Sequence, residues 1–187
     1  MQKLTIEKMK DLETKKQIFF EQYNISENDI INSISDVLRD KLDFEVKEME
    51  LPHDVDGAII VDLNGEQTRN NKPIKRIVVN SMINKFRQRF TVAHELAHYI
   101  LADNKEFLAF RDHSRNKKSS SSNSNFENEV DYMAASILMP IKAFFADIER
   151  LKNRSEVEKY LILRQKYRVE LPAIIYREQE VAALNNG

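Results

Sequence analysis

With 187 residues, 42% of them hydrophobic and 32% charged, the chain is long enough for one soluble domain with a substantial core. Its formal net charge of −1 excludes a global field that would draw it to nucleic acid or an anionic membrane. The absence of cysteine excludes disulfides and thiolate metal sites, leaving His, Asp and Glu as the available zinc ligands. The first residues mix charge with apolar side chains, and no stretch is apolar for long enough to span a bilayer, so a cytoplasmic protein without a secretory signal is expected.

Residues 3 to 23 place Leu4, Met9, Leu12, Ile18, Phe19 and Tyr23 among lysines and glutamates in a loosely amphipathic helical pattern. Asn24-Ile25-Ser26 interrupts it, and Ser26 followed by Asp29 reads as a capping-box start for a second helix with Ile30, Ile34, Val37 and Leu38 on one face. A DNA-reading helix-turn-helix would need a tight turn and a basic face, and neither is visible, so residues 1–43 read as a helical segment packed on the core. From Phe44 the period changes to that of strands: 44–49, then 57–63 after a turn at Pro52 to Asp56, then 75–80 after a polar loop running from Asn64-Gly65 to Pro73. These three strands are expected to form a small antiparallel sheet. With the third strand at its edge, Ile77, Val78, Val79 and Asn80 would hold an extended peptide.

Lys85-Phe-Arg-Gln-Arg-Phe alternates basic and aromatic residues, but six positions and a near-neutral chain favour the approach to a helix over a nucleic-acid patch. Thr91 to Ala102 is that helix, with Thr91 or Ser81 as candidate caps and Val92, Leu96, Tyr99 and Ile100 as its apolar stripe. It holds two of the four histidines, in the one H-E-x-x-H of the chain. Residues four apart share a helix face, so His94 and His98 can direct their imidazoles at one ion. Glu95 beside them is placed to take a proton from a water activated by that ion, which is metallohydrolase chemistry.

Residues 103–110 carry no clear pattern, and 111–125 is a polar, serine-rich stretch read as a mobile loop, with His113 at its start. Glu127 to Pro140 then has Val130, Ala134, Ile137 and Ile141 at helical spacing, a second core helix. Two acids near a helix start are explained by the dipole alone, yet Glu127 shares a face with Asp131, Ala134 and Leu138, and a carboxylate turned inward needs a partner such as a cation. Glu129, two residues on, points elsewhere. The rest reads as three helices, with Phe144, Phe145, Ile148 and Leu151 on the first, Val157, Tyr160, Leu161 and Leu163 on the second, and Pro172 opening the third.

The segments Arg89-Phe-Thr-Val-Ala-His-Glu-Leu-Ala-His and Glu127-Asn-Glu-Val-Asp-Tyr-Met-Ala-Ala-Ser-Ile-Leu-Met-Pro, preceded by Val55-Asp-Gly and Val78-Val-Asn-Ser, resemble the ImmA/IrrE metallopeptidases over roughly residues 52 to 142. The family's second motif has its third ligand at its first Glu, which falls here on Glu127. Val130, Met133 and Ile137 depart from the motif without removing a ligand, and Ala97 stands where Gly is commoner. The resemblance implies an α+β, zincin-like domain over 44–187 with Zn2+ between two core helices, His94, His98 and Glu127 as ligands and Glu95 as general base. It also implies a protein substrate, a helix-turn-helix repressor controlling a mobile element or stress response, with no direct nucleic-acid or membrane binding. Asp131, one turn after Glu127, is expected to fix the tautomer of a ligand histidine. Tyr132, Tyr176, Arg177 and His113 stand equal as oxyanion stabilisers. Two rivals share these residues: a non-catalytic regulator whose metal only stabilises the fold, and a toxin–antitoxin component acting by binding.

Overall fold

The structure, a computed structural model, describes residues 4–62, 73–102, 107–109 and 121–185. Among the described residues, seven helices and four strands follow in the order α1 (Ile6–Gln22), α2 (Glu27–Leu42), β1 (Glu45–Met49), β2 (Gly57–Asp62), β3 (Ile74–Asn80), α3 (Lys85–Leu101), β4 (Phe107–Ala109), α4 (Ser121–Leu138), α5 (Ile141–Leu151), α6 (Glu156–Tyr167) and α7 (Leu171–Asn185). The build is a mostly helical α+β one. Local signals set most boundaries: Thr5 caps α1, Ser26 and Asp29 close the expected capping box on α2, and Ser155 with Glu158 does the same for α6. The polar stretch at 111–125 lies outside the described residues up to 120, as does His113, whereas the helix that follows begins at Ser121, earlier than expected.

The sheet departs from expectation in order and in direction. Its strands run β1-β3-β2-β4, with β1 parallel to β3 and β2 antiparallel to both β3 and the three-residue β4. The sheet is therefore mixed, and β3 is interior. Val78 faces Lys47 on one side and Ala58 on the other, so its backbone groups are already taken and no peptide strand can be added there. Ile77, Val78, Val79 and Asn80 are all buried, and their expected role in substrate binding is corrected to a structural one. Asn80 shows why: its side-chain amide donates to the carbonyls of Pro52 and Val55 at 3.3 and 2.8 Å and accepts from the Met82 backbone at 3.0 Å, which pins the 50–56 loop.

Helix α3 lies on this sheet. Gly57 makes the close approach possible, because a Cβ there would stand 2.5 Å from Thr91 Cγ2 and 2.7 Å from the Val78 carbonyl oxygen. The helix starts six residues before Thr91, with Asn84 as its cap, so neither Thr91 nor Ser81 caps it. Its basic first turns serve to anchor it. Arg87 pairs with Asp56 before β2, and Arg89 donates to the carbonyls of Ile30, Ile31 and Tyr167 at 2.7, 3.1 and 3.2 Å. The Ile30 and Ile31 carbonyls lie just before Ser33, whose φ of −156° breaks α2 and whose hydroxyl then receives the Asp36 amide. Burial pushes the Arg89 guanidinium down to about 10, and Arg168 adds to this, but the group stays charged at neutral pH.

Helices α1 and α2 supply Leu12, Phe19, Ile30 and Leu38 to the same core that holds Leu96 of α3 and Met133 of α4. A buried polar network also ties α1 to α4 and α7. Glu13 accepts from Tyr132 at 2.9 Å, Ser136 at 2.6 Å and Arg177 at 3.1 Å, and pairs with Lys16 at 2.8 Å. Desolvation would raise the Glu13 carboxyl, but Lys16 and Arg177 outweigh it and hold the group down at about 2.

Candidate metal centre

Helices α3 and α4 pack side by side, with Ala93 and Ala97 of α3 and Ala134 of α4 fully buried; side chains this small let the backbones come close. His94 and His98, one turn apart on α3, turn toward the first half of α4, which presents Glu127. The His94 and His98 Nε2 atoms are 3.2 Å apart, and Glu127 Oε2 lies 3.4 Å from the first and 3.6 Å from the second. Ligands about 2.0–2.1 Å from a tetrahedral ion are roughly 3.3–3.4 Å from one another, so the triangle is that of three ligands on one zinc-sized cation. These three residues form a group able to hold a metal.

The surrounding charges ask for the same occupant. Burial works against a protonated His94, yet its hydrogen bonds to Asp131 and Glu127 and the nearby charge of Glu95 outweigh it, and the imidazole is pushed up to about 10. Glu127 answers in the opposite direction: burial raises it, but the two histidines hold it well below the usual carboxylate range. Glu95, Glu127 and Asp131 thus favour positive charge at this point, and a divalent cation in place of the shared proton would satisfy all three ligands.

The flanking residues separate in role. His94 Nδ1 donates to Asp131 Oδ1 at 3.0 Å, and since a carboxylate can only accept, Nδ1 keeps its proton and Nε2 is the nitrogen turned to the ion site, whose proton a metal would displace. Glu95 is completely buried in the same turn of α3. Phe126 lies against His98 with ring centroids 5.7 Å apart. Glu129 faces away, pairing with Lys8 of α1 at 2.9 Å. Of the oxyanion candidates, Tyr132 and Arg177 are committed to Glu13, on the α1 side of α4, and Tyr176 lines a groove beside α4 with its side chain half exposed.

Sequence reasoning missed the Glu13 network. A signal was present, since Arg177 follows Ala173-Ile-Ile-Tyr and a guanidinium on an apolar helix face must find a carboxylate. The groove was missed because it is made by α1, α3, α4 and α7 together.

A mostly helical α+β frame holding two histidines of an H-E-x-x-H helix and a glutamate from the facing helix defines a metallopeptidase-type centre. The sequence of residues 59–178 matches the IrrE N-terminal-like domain of peptidase family M78, and the chain belongs to that metallopeptidase family. The matched span contains His94, Glu95, His98 and Glu127 and leaves out α1 and α2. In fold the chain is similar to a Mycobacterium tuberculosis transcriptional regulator, with a TM-score of 0.58 and 15% identity, over 89% of this chain and 46% of that one. It therefore spans less than half of that protein's length. No curated protein sequence matches it significantly. Among the described residues no helix is long and apolar enough to cross a membrane.

Proposed function

We propose that the chain is a zinc-dependent endopeptidase of zincin-like build, working in the cytoplasm on a helix-turn-helix transcriptional repressor and so controlling a mobile element or a stress response. The observation that carries the enzymatic reading is the 3.2, 3.4 and 3.6 Å triangle of His94, His98 and Glu127 beside a fully buried Glu95. A structural site tends to be closed by four protein ligands and has no use for a carboxylate next to the ion, whereas three ligands and a carboxylate are what hydrolysis needs. The repressor is supported by the ImmA/IrrE motifs, whose members act on such proteins.

His94, His98 and Glu127 would hold the zinc. When bound, zinc supplies a Lewis acid for the scissile carbonyl and for a water molecule. Glu95 takes the proton of the attacking water and delivers it to the leaving amine, acting as base and then as acid. Asp131 keeps the His94 proton on Nδ1 throughout, so the ligand nitrogen stays unprotonated.

Glu95→Gln keeps the shape and removes the base. The variant should retain one zinc per chain and lose about two to four orders of magnitude in cleavage of a helix-turn-helix repressor offered as substrate. Cutting at the wild-type rate would exclude this mechanism, and relief of repression without cutting would make the protein a binding regulator.

A further inference from the structure

Helix α4 presents two polar faces. Glu127 and Asp131, four residues apart, turn to α3 and its histidines, whereas Glu129, Tyr132 and Ser136, spaced by three and four, turn to α1. The second face converges on one oxygen. Glu13 Oε1 accepts from Tyr132 at 2.9 Å and from Ser136 at 2.6 Å, and Arg177 of α7 donates to it at 3.1 Å. Lys16 closes the group, donating to Ser136 Oγ at 2.9 Å and pairing with Glu13 Oε2 at 2.8 Å. Arg177 also holds the chain just past the end of α4, through the Met139 carbonyl at 2.9 Å. Lys16, Tyr132, Ser136 and Arg177 are at most 4% exposed. Breaking a buried ion network is costly, yet an apolar core of the same shape would be about as stable, so what the network adds is direction.

We propose that Glu13 is a positioning residue for the metal centre: through Tyr132 and Ser136 it sets the rotation of α4 at which Glu127 meets the two histidines and Asp131 meets His94. The inference rests on the reading of His94, His98 and Glu127 as metal ligands. Val130, Met133 and Ile137 of α4 are completely buried, but apolar attraction has no direction, and the alanines between α3 and α4 are too short to interlock. Rotation matters at the metal. A side-chain atom about 5–6 Å from a helix axis travels roughly 2 Å when the helix turns by about 20°, whereas a metal ligand tolerates only about 0.2 Å. The Lys8–Glu129 pair is partly exposed and adds little to the clamp. The helix that supplies Glu13 lies outside the family-matched residues 59–178, so the ligand geometry is held from outside the matched domain.

The test compares full-length variants as metal-free protein. Tyr132→Phe and Ser136→Ala each remove one hydroxyl from the face that meets α1 and leave the ligands and Asp131 in place. Tyr167→Phe is the matched control, since its equally buried hydroxyl donates to Asp147 at 2.7 Å, between α6 and α5. Zinc affinity is measured against a chromophoric chelator at a temperature where melting curves show every variant folded, so that a loss of stability alone leaves it unchanged. Tyr132→Phe and Ser136→Ala should each bind zinc about tenfold more weakly, at the lower end of the range for losing an outer partner. Tyr167→Phe should melt lower and bind like the wild type. With cobalt(II) in place of zinc, the visible ligand-field bands should change in Tyr132→Phe and stay as in the wild type in Tyr167→Phe. Wild-type affinity and cobalt spectra in Tyr132→Phe and Ser136→Ala would overturn the proposal. So would equal weakening in Tyr167→Phe, because affinity would then follow stability. A wild-type chain that binds neither zinc nor cobalt would overturn the metal reading and the proposal with it, a result distinct from variants that bind as well as their parent.

Discussion

Two carboxylates two residues apart on α4 have opposite surroundings, and that difference can be measured as metal affinity. Glu127 Oε2 is 3.4 and 3.6 Å from the two histidine nitrogens, whereas Glu129 is 2.9 Å from Lys8 and points to α1. Glu127→Ala removes one corner of the ligand triangle and leaves two imidazoles, so zinc affinity should fall by more than a hundredfold, beyond the range of about ten- to hundredfold for loss of an outer partner. Asp131→Ala, which removes only the acceptor of the His94 Nδ1 proton, should fall inside that range. Glu129→Ala breaks a partly exposed ion pair worth about 0–1 kcal/mol and should leave zinc binding unchanged. Competition against a chromophoric chelator, with elemental analysis for stoichiometry, ranks the three. Affinity lost at Glu129 and kept at Glu127 would mean that α4 is rotated and that the ligand triangle is wrong. The pH dependence is a second readout of the same geometry. Because His94 is held up to about 10, the metal-free site keeps a proton through neutral pH, and zinc must displace it. Apparent affinity should therefore keep rising with pH from about 7 toward 10. An ordinary imidazole would bring a plateau just above pH 7.

Acid should unfold the protein partly through Glu13. Its folded pKa of about 2 lies below the ordinary glutamate value of 4.5, so its contribution is present above pH 4.5 and is lost as the pH falls toward 2. That difference corresponds to roughly 3 kcal/mol. Urea titrations should show Glu13→Gln less stable at pH 7 and with a shallower decline between pH 5 and 3; equal slopes would refute the assignment. Gly57→Ala should cost on the order of 1–3 kcal/mol by driving a methyl group into Thr91 and the Val78 carbonyl. Adding Thr91→Ser, which removes the Cγ2 atom and keeps the hydroxyl bonded to the Arg87 carbonyl, should recover part of the loss in thermal melts.

What the chain determines locally is the chemistry. The helical repeat alone sets His94 and His98 on one face, separates Glu127 from Glu129 by about 200°, and places Asp131 a turn beyond Glu127. Ser26 and Asp29 start α2 for an equally local reason, since a capping box joins atoms three residues apart. Strand order is a different kind of property. Nothing in the alternation of residues 44–49 says that β1 will pair in parallel with β3 rather than end the sheet elsewhere, because pairing joins segments about thirty residues apart and depends on what else covers each edge. A trace of the answer was present in Ile77-Val78-Val79, an unbroken apolar run of the kind that suits a strand enclosed on both faces, where an edge would show alternation or charge. Glu13 and Arg177 are 164 residues apart, and the groove beside α4 is lined from α1, α3, α4 and α7, so no window along the chain contains either. A ligand set carried on two helices can be read from periodicity. A buried ion pair, an interior strand and a groove walled by several helices exist only once distant segments have come together.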